Sequence, residues 1–379
     1  MIIIFSGFLL RIALSIYNID IGLLPGAEAD AGWFHWEAIR YSEYLDQKQL
    51  FPESTWRYEV GWSYAVFLGY LYNFFGTESW YLSGFLSCFV WLLSALVFRK
   101  IMLKIKLNKI NINFAILIYT FLIPTSIIYT AITLREVYIL LFLNVFTLLI
   151  VNIYYEKKII KILLNIIFMF VAIILLLLLH RANFYFFIVF FTLIIIFYFI
   201  NKFNISKITQ IILASLTLFF LSYYGYTEII FNAVKNYQMG HFNEIPDRAA
   251  YYEKNMINNI DYDLISFFVL LCKNFFSYFV EPTFFKIANI KDAVLFFENI
   301  IRAVLIFLIF KKILLQFKSK TLFIIFLTIF ISMEFLYSQG TVNWGTASRH
   351  HVPVMGILIL LAFFPLRKVK QDKRLLLIK

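Results

Sequence analysis

Long apolar runs separated by short polar stretches organise this sequence. They fall near residues 2–17, 60–75, 79–98, 113–131, 137–153, 162–179, 183–201, 207–224, 265–281, 293–310, 321–337 and 352–366. From Leu163 to Ile200 the apolar pattern is broken only by Asn165 and by His180-Arg181-Ala182-Asn183. Two runs of about 18 residues result, each near the length that spans a ~30 Å hydrocarbon core. Where water is absent, a segment must satisfy its own backbone, and a helix does so locally. The pattern therefore predicts an all-α, polytopic transmembrane helical bundle of about ten to twelve helices, a single domain over residues 1–379. No internal repeat stands out, which gives an inverted-repeat transporter little support. The first run lacks a basic leading region and a small-residue cleavage site, and Arg11 interrupts it, so an uncleaved first helix is expected.

The polar stretches sort by charge. Residues 18–59 are acidic, with Asp20, Glu28, Asp30, Glu37, Glu43, Asp46, Glu53 and Glu59 set against Arg40, Lys48 and Arg57. Residues 225–263 mix both signs. Basic clusters lie elsewhere, at Arg99–Lys109, Lys157–Lys161, Lys311–Lys320 and Arg367–Arg374. Basic loops stay in the cytoplasm, so loops 18–59 and 225–263 are assigned to the outer face and the tail to the inner one. An odd number of apolar segments separates the two outer loops, so one of them must be re-entrant or interfacial. The short segment 60–75 and the Pro124-interrupted segment are the candidates. Segment 265–281, continued to 285, is read as interfacial, because that places the loop at 311–320 and the tail on one side.

Composition agrees: 62% of residues are hydrophobic and 15% charged, whereas soluble domains lie nearer half and a quarter. The net charge of +12 is explained by basic clusters beside apolar runs and by anionic membrane lipid, and no nucleic-acid partner is called for. Cys88 and Cys272 sit in apolar surroundings without metal or disulfide spacing. Walker A, Gly-x-Gly-x-x-Gly, Gly-x-Ser-x-Gly and His-Glu-x-x-His patterns are absent, which removes support for a nucleotide-driven pump.

Four polar constellations interrupt this background. In the first, Pro25-Gly26 marks a turn, and Glu28 and Asp30 precede a helix bearing Trp33, Trp36, Tyr41 and Tyr44, as an interfacial helix would. Capping explains Asp30 but not two carboxylates one residue apart. Such carboxylates can take a proton from a hydroxyl nucleophile or hold a metal that helps. The second joins Pro124-Thr125-Ser126 to Thr133-Leu134-Arg135-Glu136, with an Arg at a depth where charge is costly. The third is His180-Arg181, where a snorkelling arginine explains as much as a functional one. In the fourth, a Gly-rich stretch from Gln339 delivers Arg349-His350-His351 to the start of the last helix, an arrangement suited to an anion such as phosphate. Neighbouring histidines on a helix point about 100° apart, so His350 and His351 do not chelate one metal together.

The order of these pieces resembles the multi-spanning GT-C glycosyltransferases, the class of bacterial lipid A aminoarabinose transferases and protein O-mannosyltransferases. The resemblance is carried by Arg11, by Asp30-Ala31-x-x-Phe34-x-x-x-Ala38, by Gly61-Trp62-Ser63-Tyr64 and Leu71-Tyr72-Asn73-Phe74-Phe75-Gly76, by Pro124 and Leu134-Arg135-Glu136, and by Gly345-Thr346-x-x-Arg349-His350-x-x-Pro353. It implies a GT-C-like bundle with interfacial helices in the first outer loop, in a bacterial inner or plasma membrane. It implies an enzyme that moves a sugar from a polyprenyl-phosphate donor to an acceptor hydroxyl on a glycan, lipid or other molecule at the outer face, with inversion, in cell-surface glycan assembly. By that match Asp30 is the catalytic base and Glu28 assists it or places a divalent metal, Mg or Mn; no cofactor is required by the sequence. Arg349 and His350, then Arg135 and Arg181, serve the donor phosphate. Arg57 takes the place of the basic group in a Lys-Pro-Pro-Leu or His-Pro-Pro stretch that this chain lacks. Two other functions compete: a polymerase of O-antigen or exopolysaccharide repeat units, which relies on outer arginines, and a transporter or flippase of lipid-linked saccharides. The few mid-segment charges (Arg11, Glu298, Arg302 and Glu334) argue against the last.

Overall fold

The structure is a computed structural model that describes residues 1–24, 27–47, 62–180, 182–202, 264–316, 321–341 and 344–365. Arg57, Arg181, the side chain of Glu28, the loop 225–263, the segment 207–224 and the basic tail from Arg367 lie outside the described residues. Among the described residues the chain is helical and forms no strand. The helices are α1 (Ile2–Asp20), α2 (Gly32–Asp46), α3 (Trp62–Phe75), α4 (Trp80–Lys104), α5 (Lys109–Leu117), α6 (Pro124–Tyr129), α7 (Glu136–Tyr155) and α8 (Ile159–Leu179). They continue with α9 (Ala182–Lys202), α10 (Leu264–Val280), α11 (Ile290–Gln316), α12 (Thr321–Gly340), α13 (Trp344–His351) and α14 (Met355–Phe363).

Six of the described helices, α1, α4, α7, α8, α11 and α12, are long and apolar enough to cross a membrane. The pair α13 and α14, bent by 59° at Val352–Val354, makes a seventh if it is one span. The fold is thus compatible with a multi-pass membrane protein. Burial ranks the spans: 61% of the apolar window of α7 is buried in the bundle but only 22% of that of α8. Helix α8 turns Ile160, Leu163, Ile167, Phe168 and Ile174 outward. An apolar outer face of that extent suits lipid and not water.

Two ends of the bundle can be told apart by their contacts. At one end Lys104 meets Asn152, Asn152 Nδ2 donates to Asn165 Oδ1 at 3.1 Å, and Lys312 Nζ donates to the Phe364 carbonyl at 2.5 Å. That end gathers Arg99 to Lys109, Lys157 to Lys161 and Lys311–Lys312. At the other, Tyr81 meets Asp20, the His35 and Trp80 rings lie 4.0 Å apart, and Arg349 reaches Asp30. Helices α1, α8 and α12 end there, and α4, α7, α9 and α13 begin there. The described parts of the basic clusters and of the acidic loop therefore occupy opposite ends, as a membrane orientation demands.

Helix α3 is one of the two candidates for a re-entrant or interfacial segment. Its 14 residues span roughly 21 Å at ~1.5 Å per residue, short of a bilayer core, and it packs on α2 at the acidic end. Gly69 makes that approach possible, since a Cβ there would lie 2.5 Å from Tyr41 Cβ and 2.8 Å from the Ala38 carbonyl oxygen. Segment 265–281 does not lie across the end of the bundle. As α10 it runs antiparallel along α12: Gln339 donates to the Leu271 carbonyl, Phe275 meets Phe335 and Phe279 meets Phe330. It thus enters from the acidic end and stops about halfway along α12. Helix α11, which runs toward the basic end, follows it, so α10 adds no crossing and the basic loop stays where charge places it.

The Pro124 break is stapled by Arg11. The helix widens to a π-turn at Ile118–Leu122, breaks at the extended Ile123 and restarts at Pro124, which leaves carbonyls without helical partners. Arg11 is fully buried; its Nε donates to Thr130 Oγ1 at 2.7 Å, and its Nη1 donates to the carbonyls of Gly7 at 3.1 Å and Thr120 at 3.3 Å. Its guanidinium lies 3.5 Å from the Trp91 ring centroid. Gly7 lets α1 come this close, because a Cβ would fall 2.0 Å from Thr120 Cγ2. Arg11 is a structural cation buried inside the bundle, away from the acidic end.

Candidate functional site

Three distant stretches meet at the acidic end. Asp30 lies in the π-turn Ala27–Ala31 that leads into α2. Arg135 and Glu136 open α7, where a carboxylate is favoured by the helix N-terminus. Arg349 lies on α13, which precedes the bend at Val352–Val354 and packs against α6 and α12.

Arg349 pairs with Asp30 through Nη1, and its Nε lies 3.1 Å from Glu136 Oε1. Arg135 Nε stands 4.0 Å from the same oxygen. The Arg135 guanidinium also lies 5.6 Å from the centroid of Phe34, one helical turn past Asp30. Side-chain exposure grades the cluster from floor to mouth: Glu136 2%, Arg349 13%, Arg135 18% and Asp30 44%. Two guanidinium groups thus alternate with two carboxylates, one sealed and one open. Arg135 Nε, Arg349 Nε and Glu136 Oε2 are buried and make no hydrogen bond within the described residues.

Imidazoles and hydroxyls border the arginines. His350 stacks on Tyr337 at 4.8 Å, and its Nδ1 lies 3.0 Å from Thr341 Oγ1. The His180 ring lies 5.9 Å from that of His350. Burial, and then the Arg135 charge, hold His180 well below its ordinary pKa, so it is neutral at neutral pH. On the other side of Asp30, His35 is buried and contacts Tyr72 Oη at 2.8 Å. Burial lowers its pKa to about 4.

The structure therefore brings together Asp30, Arg135, Arg349 and His350 from the sequence-derived set. Glu28 is placed only by its backbone in the same turn. Glu136, at the centre of the cluster, has no role of its own in the sequence analysis, where it enters only with Leu134-Arg135. Its signal was its position, an acidic residue at the first turn of a helix between an Arg and an apolar run. Tyr337 and Thr341 carry no comparable mark in the sequence. Among the described residues, no three His, Cys, Asp or Glu side chains gather to hold a metal ion.

A second charged nest lies deeper, where the two broken helices face each other. Glu298 on α11 accepts from the Thr125 amide at 2.5 Å and from its hydroxyl at 2.7 Å, and pairs with Arg302 at 2.9 Å. Arg302 also donates to Asn299 at 2.8 Å. His351 Nδ1 lies 2.9 Å from Glu334, and its Nε2 lies 3.3 Å from the Tyr278 carbonyl. A carbonyl only accepts, so Nε2 carries a proton, and the Nδ1–carboxylate contact holds another. The pair seats α13 against α10 and α12 and so fixes the stretch that carries Arg349.

The described residues form a helical bundle compatible with a multi-pass membrane protein, with a mixed-charge mouth at the end opposite Arg99–Lys109 and Lys157–Lys161. No family model matches the chain, and neither a curated protein nor a solved structure does.

Proposed function

We propose that the chain is a membrane glycosyltransferase that moves a sugar from a polyprenyl-phosphate donor to an acceptor hydroxyl at the outer face. The observation that carries this reading is the meeting of Asp30 with Arg349 beside Glu136 and Arg135, at the end away from the basic clusters. An exposed carboxylate beside two arginines has the parts the reaction needs. Asp30 takes the acceptor's proton as its oxygen attacks the anomeric carbon. The bond from that carbon to the phosphate oxygen breaks, and the phosphate leaves with the electron pair. Arg349 and Arg135 stabilise the charge that builds on it. Neutral His180, with the His350 ring beside it, serves as a hydrogen-bonding group at the edge.

The test is Asp30→Ala in membranes supplied with a polyprenyl-phosphate sugar, together with mass spectrometry of surface glycans and lipid-linked sugars in a strain lacking the protein. Loss of a general base slows transfer by about 10²–10⁴-fold, and the deleted strain accumulates the lipid-linked donor. Undiminished transfer by Asp30→Ala sinks the mechanism in which Asp30 is the base. That outcome, combined with loss of transfer in Arg135→Gln and Arg349→Gln, favours a repeat-unit polymerase, whose claim rests on the paired arginines.

A further inference from the structure

The proposed base is not free: Asp30 is bound to the cation that the phosphate needs. We propose that Asp30 is an internal ligand of Arg349, displaced when a phosphate-type oxyanion enters, so that anion binding is what releases the carboxylate. This rests on the reading of the mouth as a phosphate site, not on the identity of the sugar.

Charge and burial decide which carboxylate yields. The cluster alternates two cations with two anions, so an incoming anion either adds an uncompensated charge or takes one carboxylate's place. Glu136 is 2% exposed and lies between the arginines. It also sits at the first position of α7, where the helix dipole favours it. Moving it would leave buried guanidinium groups without an anion, a costly change. Asp30 is 44% exposed and belongs to a short turn, so it returns to water at little cost. A phosphate gains more at the same place, because it can contact one guanidinium through two oxygens and reach a second. The buried Arg135 Nε makes no hydrogen bond within the described residues and stands 4.0 Å from its nearest carboxylate oxygen, so the cluster retains a donor that its own carboxylates hold only loosely. With His180 neutral, the attraction for the anion comes from the arginines.

The consequence is an order of events. While Asp30 sits on Arg349, its carboxylate faces a cation and is a poor base. Once a phosphate ester holds Arg349, Asp30 is released within the same mouth, beside the bond to be broken. An acceptor hydroxyl arriving first meets no active base, which suppresses futile proton transfer before the donor is in place.

The test measures binding of the purified full-length protein in detergent, by tryptophan fluorescence, to inorganic phosphate, to farnesyl phosphate and to uncharged farnesol. Wild type, Asp30→Asn, Asp30→Ala and Arg349→Gln are compared, with thermal unfolding as the check on folding. Removing the internal competitor tightens anion binding about three- to tenfold in both Asp30 variants, the size expected for a partly exposed ion pair. Arg349→Gln weakens it, and farnesol binding is unchanged across the set. Tightening for both anions supports displacement by bare phosphate chemistry; tightening for farnesyl phosphate alone supports displacement by a lipid headgroup. Equal or weaker binding in the Asp30 variants overturns displacement and leaves the glycosyltransferase reading in place. Failure of both anions to bind any form overturns both displacement and the phosphate site. An active Asp30→Ala transferase that still binds phosphate more tightly than wild type overturns only Asp30's role as base.

Discussion

The mouth and the deeper nest contain the same chemical groups and treat them differently. In the nest every charge is closed in. Glu298 is met by Thr125 and Arg302, Arg302 also by Asn299, and His351 by Glu334 and a carbonyl. In the mouth, Glu136 and both arginines keep buried polar atoms without hydrogen bonds, and Asp30 is half open to solvent. A fully satisfied buried network rigidifies a fold, whereas spare donors next to an exposed anion leave capacity for a ligand. Broken helices around intramembrane charges would otherwise point to a transport path. The nest's charges are matched to one another, and they tie α6 to α11 and α13 to α10 and α12 beneath the mouth.

The largest predicted effect tests that bracing. Glu298→Ala leaves Arg302 buried without its anion and the Thr125 amide without an acceptor, so it destabilises the protein by about 3–5 kcal/mol. Thermal unfolding in detergent measures this. Glu298→Leu combined with Arg302→Leu removes both charges and restores much of the loss. Loss of transfer by Glu298→Ala with unchanged unfolding would assign the nest to the reaction and erase the contrast.

How far each region was legible follows from the kind of contact that makes it. Asp30, Arg135, Arg349 and His350 stood out because each is a polar residue at the edge of an apolar run, where charge is conspicuous. Their meeting was expected only through the resemblance, since no local pattern shows that α13 brings Arg349 to Asp30 and Glu136. The Glu298–Arg302 pair has i, i+4 spacing and was readable as a pair, while Glu334 and His351 are joined only by the packing of α12 on α13. Most apolar runs became helices close to their expected bounds, because period and length are local properties. The course of α10 was hidden, because its sequence suits a flat helix and one packed along α12 equally well.

A smaller effect probes a closed group set beside the open one. His35, one turn past Asp30, is buried against Tyr72 and Trp80 and titrates near 4. Its folded pKa lies below the unfolded value of ~6.5, so the folded state resists a proton that the unfolded state accepts. The stability it contributes is complete above pH ~6.5 and is lost as pH falls toward 4. At pH 5 the loss is about 2 kcal/mol at most. Unfolding of wild type and His35→Gln measured from pH 7 to 5 isolates this contribution. The wild type falls more steeply; parallel curves would show that His35 takes up its proton without disturbing the α2–α3 contact.

The smallest effect is the most discriminating. Asp30→Ala should change stability by no more than about 1 kcal/mol, because a half-exposed ion pair is worth little in water. Arg349 keeps Glu136 as a partner and is not stranded by the change. The same substitution is expected to abolish transfer and tighten phosphate binding. Stability, activity and anion affinity would then move separately, as they must if Asp30 is held in the mouth for chemistry and not for folding. An unfolding temperature lowered as far as that of Glu298→Ala would mean that Asp30 is a staple like Arg302. The mouth and the nest would then be two versions of one structural device. Raising the salt concentration separates the cases without any mutation, since screening weakens the exposed Asp30–Arg349 pair far more than the sealed Glu298–Arg302 pair. If Asp30 is a displaceable ligand, wild-type unfolding in high salt stays close to that of Asp30→Ala.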